Sequence, residues 1–328
     1  MIRILYRTAD GQLHDDLTVE TIATALQDEE GLLWVDLIEE PADTSAPLLL
    51  ETFGFHPLAV DDALEERHVP KVDDWTTYLY VVLHAVAFDL QAERLISTLE
   101  LDIFLGKNYL VTYQARPIAA VERVWTAFRR DRRLLERESE YLLYRLADEL
   151  VSDYMPAIDQ IDAEIDRIEA CIFDHPHATV LEDILTLKRA LLQLRRILTP
   201  QREVLNRLAR DEYAVVRSRY RVYYRDVYDH LVRLYDLNES MRELVTGVLE
   251  THLSVVNNRM NDIMKTLTVI TTLFMPLSFV AGFFGMNFFG PTEVIAAWTS
   301  RAALALTLVG MVLMPLGMAL WMRRRGWL

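Results

Sequence analysis

Cysteine is nearly missing. Cys171 is the only one in 328 residues, so no disulfide can close within the chain, and a reducing compartment fits. Helix breakers are sparse in the second half: no proline falls between Pro200 and Pro276, and Gly247 is the only glycine between Asp211 and Gly282. Basic charge is in deficit, with Lys+Arg 34 against Asp+Glu 49 and a net charge of −15. Such a surface repels a phosphate backbone and attracts cations, which disfavours nucleic acid as a partner. Acidity serves solubility as well. No Ser/His/Asp arrangement, phosphate-cradling glycine loop or Cys/His cluster stands out, so the chain does not read as an enzyme. Long uncharged stretches are absent save two, Thr266 to Thr292 and Ala302 to Met322.

Each of those two holds the roughly 20 residues that a helix needs to cross a hydrocarbon core about 30 Å thick. From Ile263 onward the basic residues are Lys265, Arg301, Arg323, Arg324 and Arg325 against the single acid Glu293, so the first 262 residues hold a net −19. A large acidic part thus precedes a small, slightly basic membrane part. The opening MIRILYRTADGQLHDD has no apolar run of signal-peptide length, and the acidic part is expected to stay in the cytosol. Arg259 and Lys265 before the first span and Arg323 to Arg325 after the second place both termini on the cytoplasmic side of an inner (plasma) membrane.

Three zones are expected: a cytosolic α/β domain over 1–120, a helical domain and stalk over 121–262, and a transmembrane domain over 263–328. Within the last, the first span covers about 266–285, a loop about 286–298 and the second span about 299–322, ahead of the basic tail. In the first zone Leu32 to Leu37 and Tyr78 to Phe88 read as strands. Leu99 to Leu105 and Tyr109 to Gln114 flank Gly106-Lys107-Asn108 as a hairpin, and His56 to Glu66 reads as a helix. Beyond Pro117, apolar residues recur at helical spacing over 140–172, Asp174-His175-Pro176-His177 breaks the pattern, and a second helix spans about Thr179 to Leu208. A third, from about Ala214 to Gly285, would run unbroken for roughly 100 Å. His175 and His177 flank a proline and suit a turn better than a metal site, while Asp226 and His230 stand one helical turn apart.

The segment Arg259 to Asn287, RMNDIMKTLTVITTLFMPLSFVAGFFGMN, resembles the stalk and first membrane helix of the CorA family of divalent-cation (magnesium) channels. Tyr224 to His230, Phe55 to Asp62, Pro70-Lys71-Val72 and the ending Arg323 to Leu328 resemble that family too, so the likeness covers nearly the whole chain. Its most specific part is Gly285-Met286-Asn287 ending the first of two C-terminal spans. The resemblance implies an α+β membrane protein: a cytosolic α/β domain, a long helical stalk, two C-terminal transmembrane helices, and a funnel-shaped homopentamer with one central pore. It implies passive influx of Mg²⁺, with Co²⁺ and Ni²⁺ as further cargo, gated by cytosolic Mg²⁺.

The residues fit a pore in their own right. Met264, Leu267, Thr271, Met275, Ser278 and Gly282 follow at steps of 3 or 4 and form one slim stripe, with Asn261 one turn below Met264. Bulky Ile263, Val269, Ile270, Leu273, Phe274, Leu277, Phe279, Phe283 and Phe284 take the other faces. Small residues also serve close helix packing. Asn287 offers a neutral amide ring that can hydrogen-bond hydrated Mg²⁺, which sheds water reluctantly, without holding it too tightly to leave. Gly285 would let the backbone turn tightly there. Met264, Leu267 and Met275 are candidate constrictions that gate by dewetting. By resemblance, Asp226 is similar to a position that helps bind a regulatory cation between subunits, and Glu250 to an acid facing the pore axis. The acids expected after Lys71-Val72 are here Thr76 and Thr77, with Asp73 and Asp74 out of register, and the outer loop keeps one acid, Glu293. Two alternatives remain: a zinc or other transition-metal transporter of the same architecture, like ZntB, and a two-span receptor without a pore. The loop from Phe288 to Trp298 is short for a receptor's outer domain.

Overall fold

The computed structural model describes residues 1–15, 17–65, 68–89, 95–135, 138–174, 178–285 and 301–327. Its strands are β1 (Ile2–Arg7), β2 (Leu13–His14), β3 (Leu32–Ile38), β4 (Lys71–Asp74), β5 (Leu79–Phe88), β6 (Ile96–Leu105) and β7 (Tyr109–Gln114). Its α-helices are α1 (Ile22–Leu26), α2 (Ala42–Pro47), α3 (Pro57–Leu64), α4 (Ala119–Arg130), α5 (Arg132–Leu135), α6 (Ser139–Ser152), α7 (Tyr154–Asp174), α8 (Ala178–Arg210), α9 (Arg221–Gly285) and α10 (Arg301–Arg324). Two compact units result, Met1–Leu249 and Glu250–Leu328.

In the first unit the strands form one sheet in the order β2-β1-β3-β7-β6-β5-β4. Only β3 and β7 pair in parallel; the other neighbours are antiparallel. All seven residues of β3 are buried, because both faces of the sheet are covered. Leu33, Val35 and Leu37 share one core with Phe55 and with Ala59, Val60 and Ala63 of α3. On alternate positions Trp34 meets Trp125 and Phe128 of α4, at ring separations of 4.8 and 6.1 Å. A buried carboxylate sits in this sheet. Asp36 accepts from Arg3 Nε at 2.8 Å, Thr112 Oγ1 at 2.6 Å and Gln114 Nε2 at 2.9 Å. Burial pushes its carboxyl up, and Arg3 pulls the other way.

The hairpin of β6 and β7 closes on Gly106, where a Cβ would lie 2.3 Å from the Tyr109 ring, so only glycine fits. Helix α3 starts with His56 accepting from Leu58 N at 3.2 Å and Pro57 at the first position.

Two helix boundaries differ from the sequence expectation. The pattern over 140–172 is two helices, parted at Asp153. Pro156 has no N–H to give the Ser152 carbonyl, so α6 cannot run on and the proline falls in the first turn of α7. The long helix starts at Arg221, seven residues after Ala214. Tyr213, Val215, Val216 and Tyr220 are all buried in the segment before it, and that burial overrides helical propensity. His175, Pro176 and His177 lie outside the described residues.

Candidate functional site on the membrane helices

In the second unit, α9 and α10 carry stretches long and apolar enough to span a membrane. Their most apolar windows reach mean hydropathies of 1.7 and 1.9, yet only 6% of either window is buried. A core helix of a soluble protein would be mostly covered; these present apolar side chains outward, as lipid requires.

The two helices cover a definite face of each other. On α9 the least exposed positions are Val269, Thr272, Leu273, Pro276, Leu277 and Val280. On α10 they are Thr307, Met311, Pro315, Met318, Ala319 and Met322. An apolar cavity of about 270 Å³ remains beside Pro276, bounded by Val280, Thr307, Gly310 and Met314. At 3.6 residues per turn, the stripe of Met264, Leu267, Thr271, Met275, Ser278 and Gly282 falls on the opposite side of α9 from that face. All six are exposed, Met275 by 67%, and so is Asn261. Ile263, Ile270 and Phe274 flank the stripe on one side and Phe279 on the other, also exposed. Of the bulky residues, then, Val269, Leu273 and Leu277 take the second helix, while Ile263, Ile270, Phe274, Phe279 and Phe283 are exposed.

Three threonine hydroxyls in this part of α9 are satisfied within the helix. Thr266 Oγ1 donates to the Asp262 carbonyl at 2.9 Å, Thr268 to Met264 at 2.7 Å and Thr271 to Leu267 at 2.8 Å. This spends the hydroxyl proton and leaves the oxygen as an acceptor. Gly285 is the last residue of α9, while Met286, Asn287 and Glu293 lie outside the described residues. Helix α10 ends in a left-handed Gly326 at φ +74°, with Trp327 N donating to the Met322 carbonyl at 3.0 Å and Gly326 N to Arg323 at 3.2 Å. Lys265 Nζ donates to the Gly326 carbonyl at 3.4 Å, and Arg325 lies over the Trp321 ring at 5.6 Å. The cationic end of α10 is thus built and tied to α9.

The residues proposed for regulation fall in separate places. Asp226 is exposed on α9 in the first unit, and Glu250 is exposed on the same helix in the second. Sequence reasoning missed Asp148 of α6, whose carboxyl feels the charge of Asp226. Burial pushes the Asp148 carboxyl up, Arg145 and His230 oppose this, and Glu149 and Asp226 add to it. Thr76 and Thr77 sit in the turn from β4 to β5. Thr76 is left-handed at φ +71° and donates its N–H to Asp74 Oδ1 at 2.8 Å. Asp73 pairs with Lys71 at 3.1 Å. Both nearby acids are therefore already engaged.

A polar pocket of about 350 Å³ in the first unit was also not legible in advance. His68, His84 and Glu100 line it, with His68 Nδ1 3.4 Å and His84 Nε2 3.9 Å from the Glu100 carboxylate. Burial pushes the His84 imidazole down, and its Nε2 donates to the His68 carbonyl at 2.8 Å. Among the described residues no group of three or more His, Cys, Asp or Glu is arranged to hold a metal ion.

A sheet-and-helix domain followed by two adjoining apolar helices at the C-terminus defines a two-span membrane protein. Residues 29–324 match the family described as CorA-like Mg2+ transporter protein, and the chain belongs to that family of membrane transport proteins. It is 32% identical to YfjQ of Bacillus subtilis (strain 168) over 327 residues, which cover 100% of this chain and 98% of that one. It is 36% identical over 279 residues to the cobalt/magnesium transport protein CorA of Thermotoga maritima, covering 85% of this chain and 78% of that one. The complete structure of the CorA magnesium transporter from Methanocaldococcus jannaschii matches with a TM-score of 0.83 at 23% identity, over 99% of this chain and 98% of that chain. At that identity the likeness is one of fold.

Proposed function

We propose that this chain assembles as a homopentamer and passes Mg²⁺, with Co²⁺ as a second cargo, down its electrochemical gradient. The passage is lined by the α9 stripe from Asn261 to Gly282, and Gly285, Met286 and Asn287 form its mouth. The observation that carries this is the position of the stripe. In a membrane span, a row bearing an amide, two hydroxyls, two thioethers and a glycine faces away from the partner helix and lies uncovered in the single chain. Hydroxyl oxygens are poorly placed against lipid, and copies grouped around an axis would turn that row toward water. Asn287 would meet the hydrated ion with neutral oxygens, holding it through its waters. Both termini would lie in the cytosol, where Asp226, whose charge reaches Asp148, contributes to a site for regulatory Mg²⁺.

The test is flux into liposomes with Mg²⁺, Co²⁺ and Zn²⁺ side by side, for the wild type and Asn287→Ala. Mg²⁺ and Co²⁺ entry that Asn287→Ala abolishes, with assembly intact, is the expected result. Zn²⁺ flux exceeding both would favour the zinc branch of the same architecture, and no flux of any cation would favour a receptor without a pore.

A further inference from the structure

Helices α7 and α8 form an antiparallel hairpin joined through its apolar side: Ile158, Ile161, Ile165 and Ile168 of α7 are buried, as are Ile184, Leu187, Leu191 and Leu194 of α8. The charge on the two outer faces has opposite sign. On α7, one residue beyond each buried isoleucine, stand Asp159, Asp162, Asp166 and Glu169, all exposed. On α8 the exposed Lys188, Arg189 and Arg196 stand beside Leu185 and Leu192, which are 38% and 36% exposed. Thr186, Arg189, Leu192, Gln193 and Arg196 line a groove of about 670 Å³.

These opposite charges do not neutralise each other within the chain. The ion pairs of the hairpin use other residues: Arg167 with Glu164 and Asp183, Arg195 with Glu239 on α9, and Arg207 with Asp211. Among the described residues, none of the four α7 carboxylates and none of Lys188, Arg189 and Arg196 has an ion-pair partner. A basic groove lined by the exposed Leu192, with the exposed Leu185 on the same helix, is also at odds with the −19 carried by the first 262 residues. Arginine is suited to such a place, because its planar fork binds carboxylates two at a time.

We propose that the groove on α8 receives the acidic face of α7 from a second copy of this chain. A surface and its complement on one chain, each left unsatisfied there, are what a head-to-tail contact requires. Each copy gives its acidic face to one neighbour and its basic groove to the other, and such contacts close into a ring when the rotation allows. The leucines and the exposed Met155 add apolar contact, and the charges fix register and orientation. This rests on the homo-oligomer proposed above and deepens it by naming a contact between the cytosolic domains.

The test uses full-length protein and carbodiimide coupling, which joins a lysine amine directly to a carboxylate only where the two touch. Two differently tagged chains are co-expressed. One carries Lys188→Arg. The other keeps Lys188 and carries Asp159→Asn, Asp162→Asn, Asp166→Asn and Glu169→Gln. Neither chain can then form this link within itself. The expected product is a chain-to-chain adduct whose cross-linked peptide joins Lys188 of one tag to an α7 acid of the other, lost when both chains carry Lys188→Arg and weakened by added salt. Reciprocal exchange, Lys188→Glu with Asp162→Lys, should restore coupling, now between residues 162 and 188, where Lys188→Glu alone loses it. An oligomer by native mass spectrometry that yields no such peptide overturns this inference and leaves the proposed assembly standing. A monomer overturns both.

Discussion

The hydroxyl of Thr271 donates to the carbonyl of Leu267 at 2.8 Å, tying two members of one α9 stripe along the helix. Its proton is spent on the backbone, so toward the stripe the side chain presents an oxygen acceptor. Ordered water around a cation presents hydrogens outward, and an acceptor is what such a shell needs. Thr271→Val keeps the shape and removes the oxygen. It should lower Mg²⁺ flux several-fold with assembly unchanged, while Thr271→Ser retains most of the flux. Equal flux in the valine variant and the wild type would remove Thr271 from the passage.

Leu267 and Met275 lie on either side of Thr271 and are 58% and 67% exposed. If these side chains form a dry barrier at the axis, polarity there should wet it. Leu267→Asn and Met275→Ser should each raise basal Mg²⁺ flux in liposomes. Unchanged or reduced flux in both would place the constriction elsewhere.

How far these residues could be read in advance depends on how local their signal is. The spacing of Met264, Leu267, Thr271, Met275, Ser278 and Gly282 is a property of one helix, so it was visible in the sequence. Which face α10 covers is a property of two helices, and only the structure assigns Val269, Leu273 and Leu277 to it. Strand β3 stood out because both its faces are buried, giving an unbroken apolar run. Strand β4, Lys-Val-Asp-Asp, has no such run and exists through its pairing with β5. The neighbourhood of Asp226 and Asp148 joins residues far apart in sequence, and no motif links them.

That neighbourhood bears on regulation. Burial, with a smaller contribution from the charges of Glu149 and Asp226, raises the cost of ionising Asp148, and a bound divalent cation would relieve it. Asp226→Ala should weaken inhibition by cytosolic-side Mg²⁺, and Thr77→Asp should strengthen it by adding a carboxylate at the turn from β4 to β5. The measurement is flux against Mg²⁺ on that side. Wild-type inhibition in Asp226→Ala would place the regulatory site elsewhere.

The same turn stores strain. Thr76 is β-branched and left-handed at φ +71°, a conformation that asparagine tolerates far better. Thr76→Asn should raise stability by about 1 kcal/mol, read as a higher apparent unfolding temperature at fixed scan rate. A lower temperature would mean that the threonine side chain stabilises the turn by more than its backbone costs.

The pH dependence of folding should carry the mark of His84. Its N–H donates to Gln201 Oε1 at 2.8 Å, its carbonyl accepts from Tyr154 at 2.8 Å, and its ring Nε2 donates to the His68 carbonyl. Burial holds the imidazole below its ordinary value. The unfolded chain therefore binds a proton that the folded chain refuses. The stability linked to His84 is complete above the unfolded value of about 6.5 and is lost as pH falls through the folded one. Buried carboxylates respond the other way. Asp36 and Glu140 are pushed up by burial, so the cost of keeping them ionised is relieved on acidification. The raw pH profile mixes the two, and a difference separates them. His84→Gln keeps a donor for the His68 carbonyl and does not titrate. Between pH 7.5 and 5.5, about one unit either side of 6.5, the wild type should lose more apparent unfolding temperature than His84→Gln at the same scan rate. Parallel profiles would show that His84 takes up its proton equally in both states, and that its burial carries no penalty for charge.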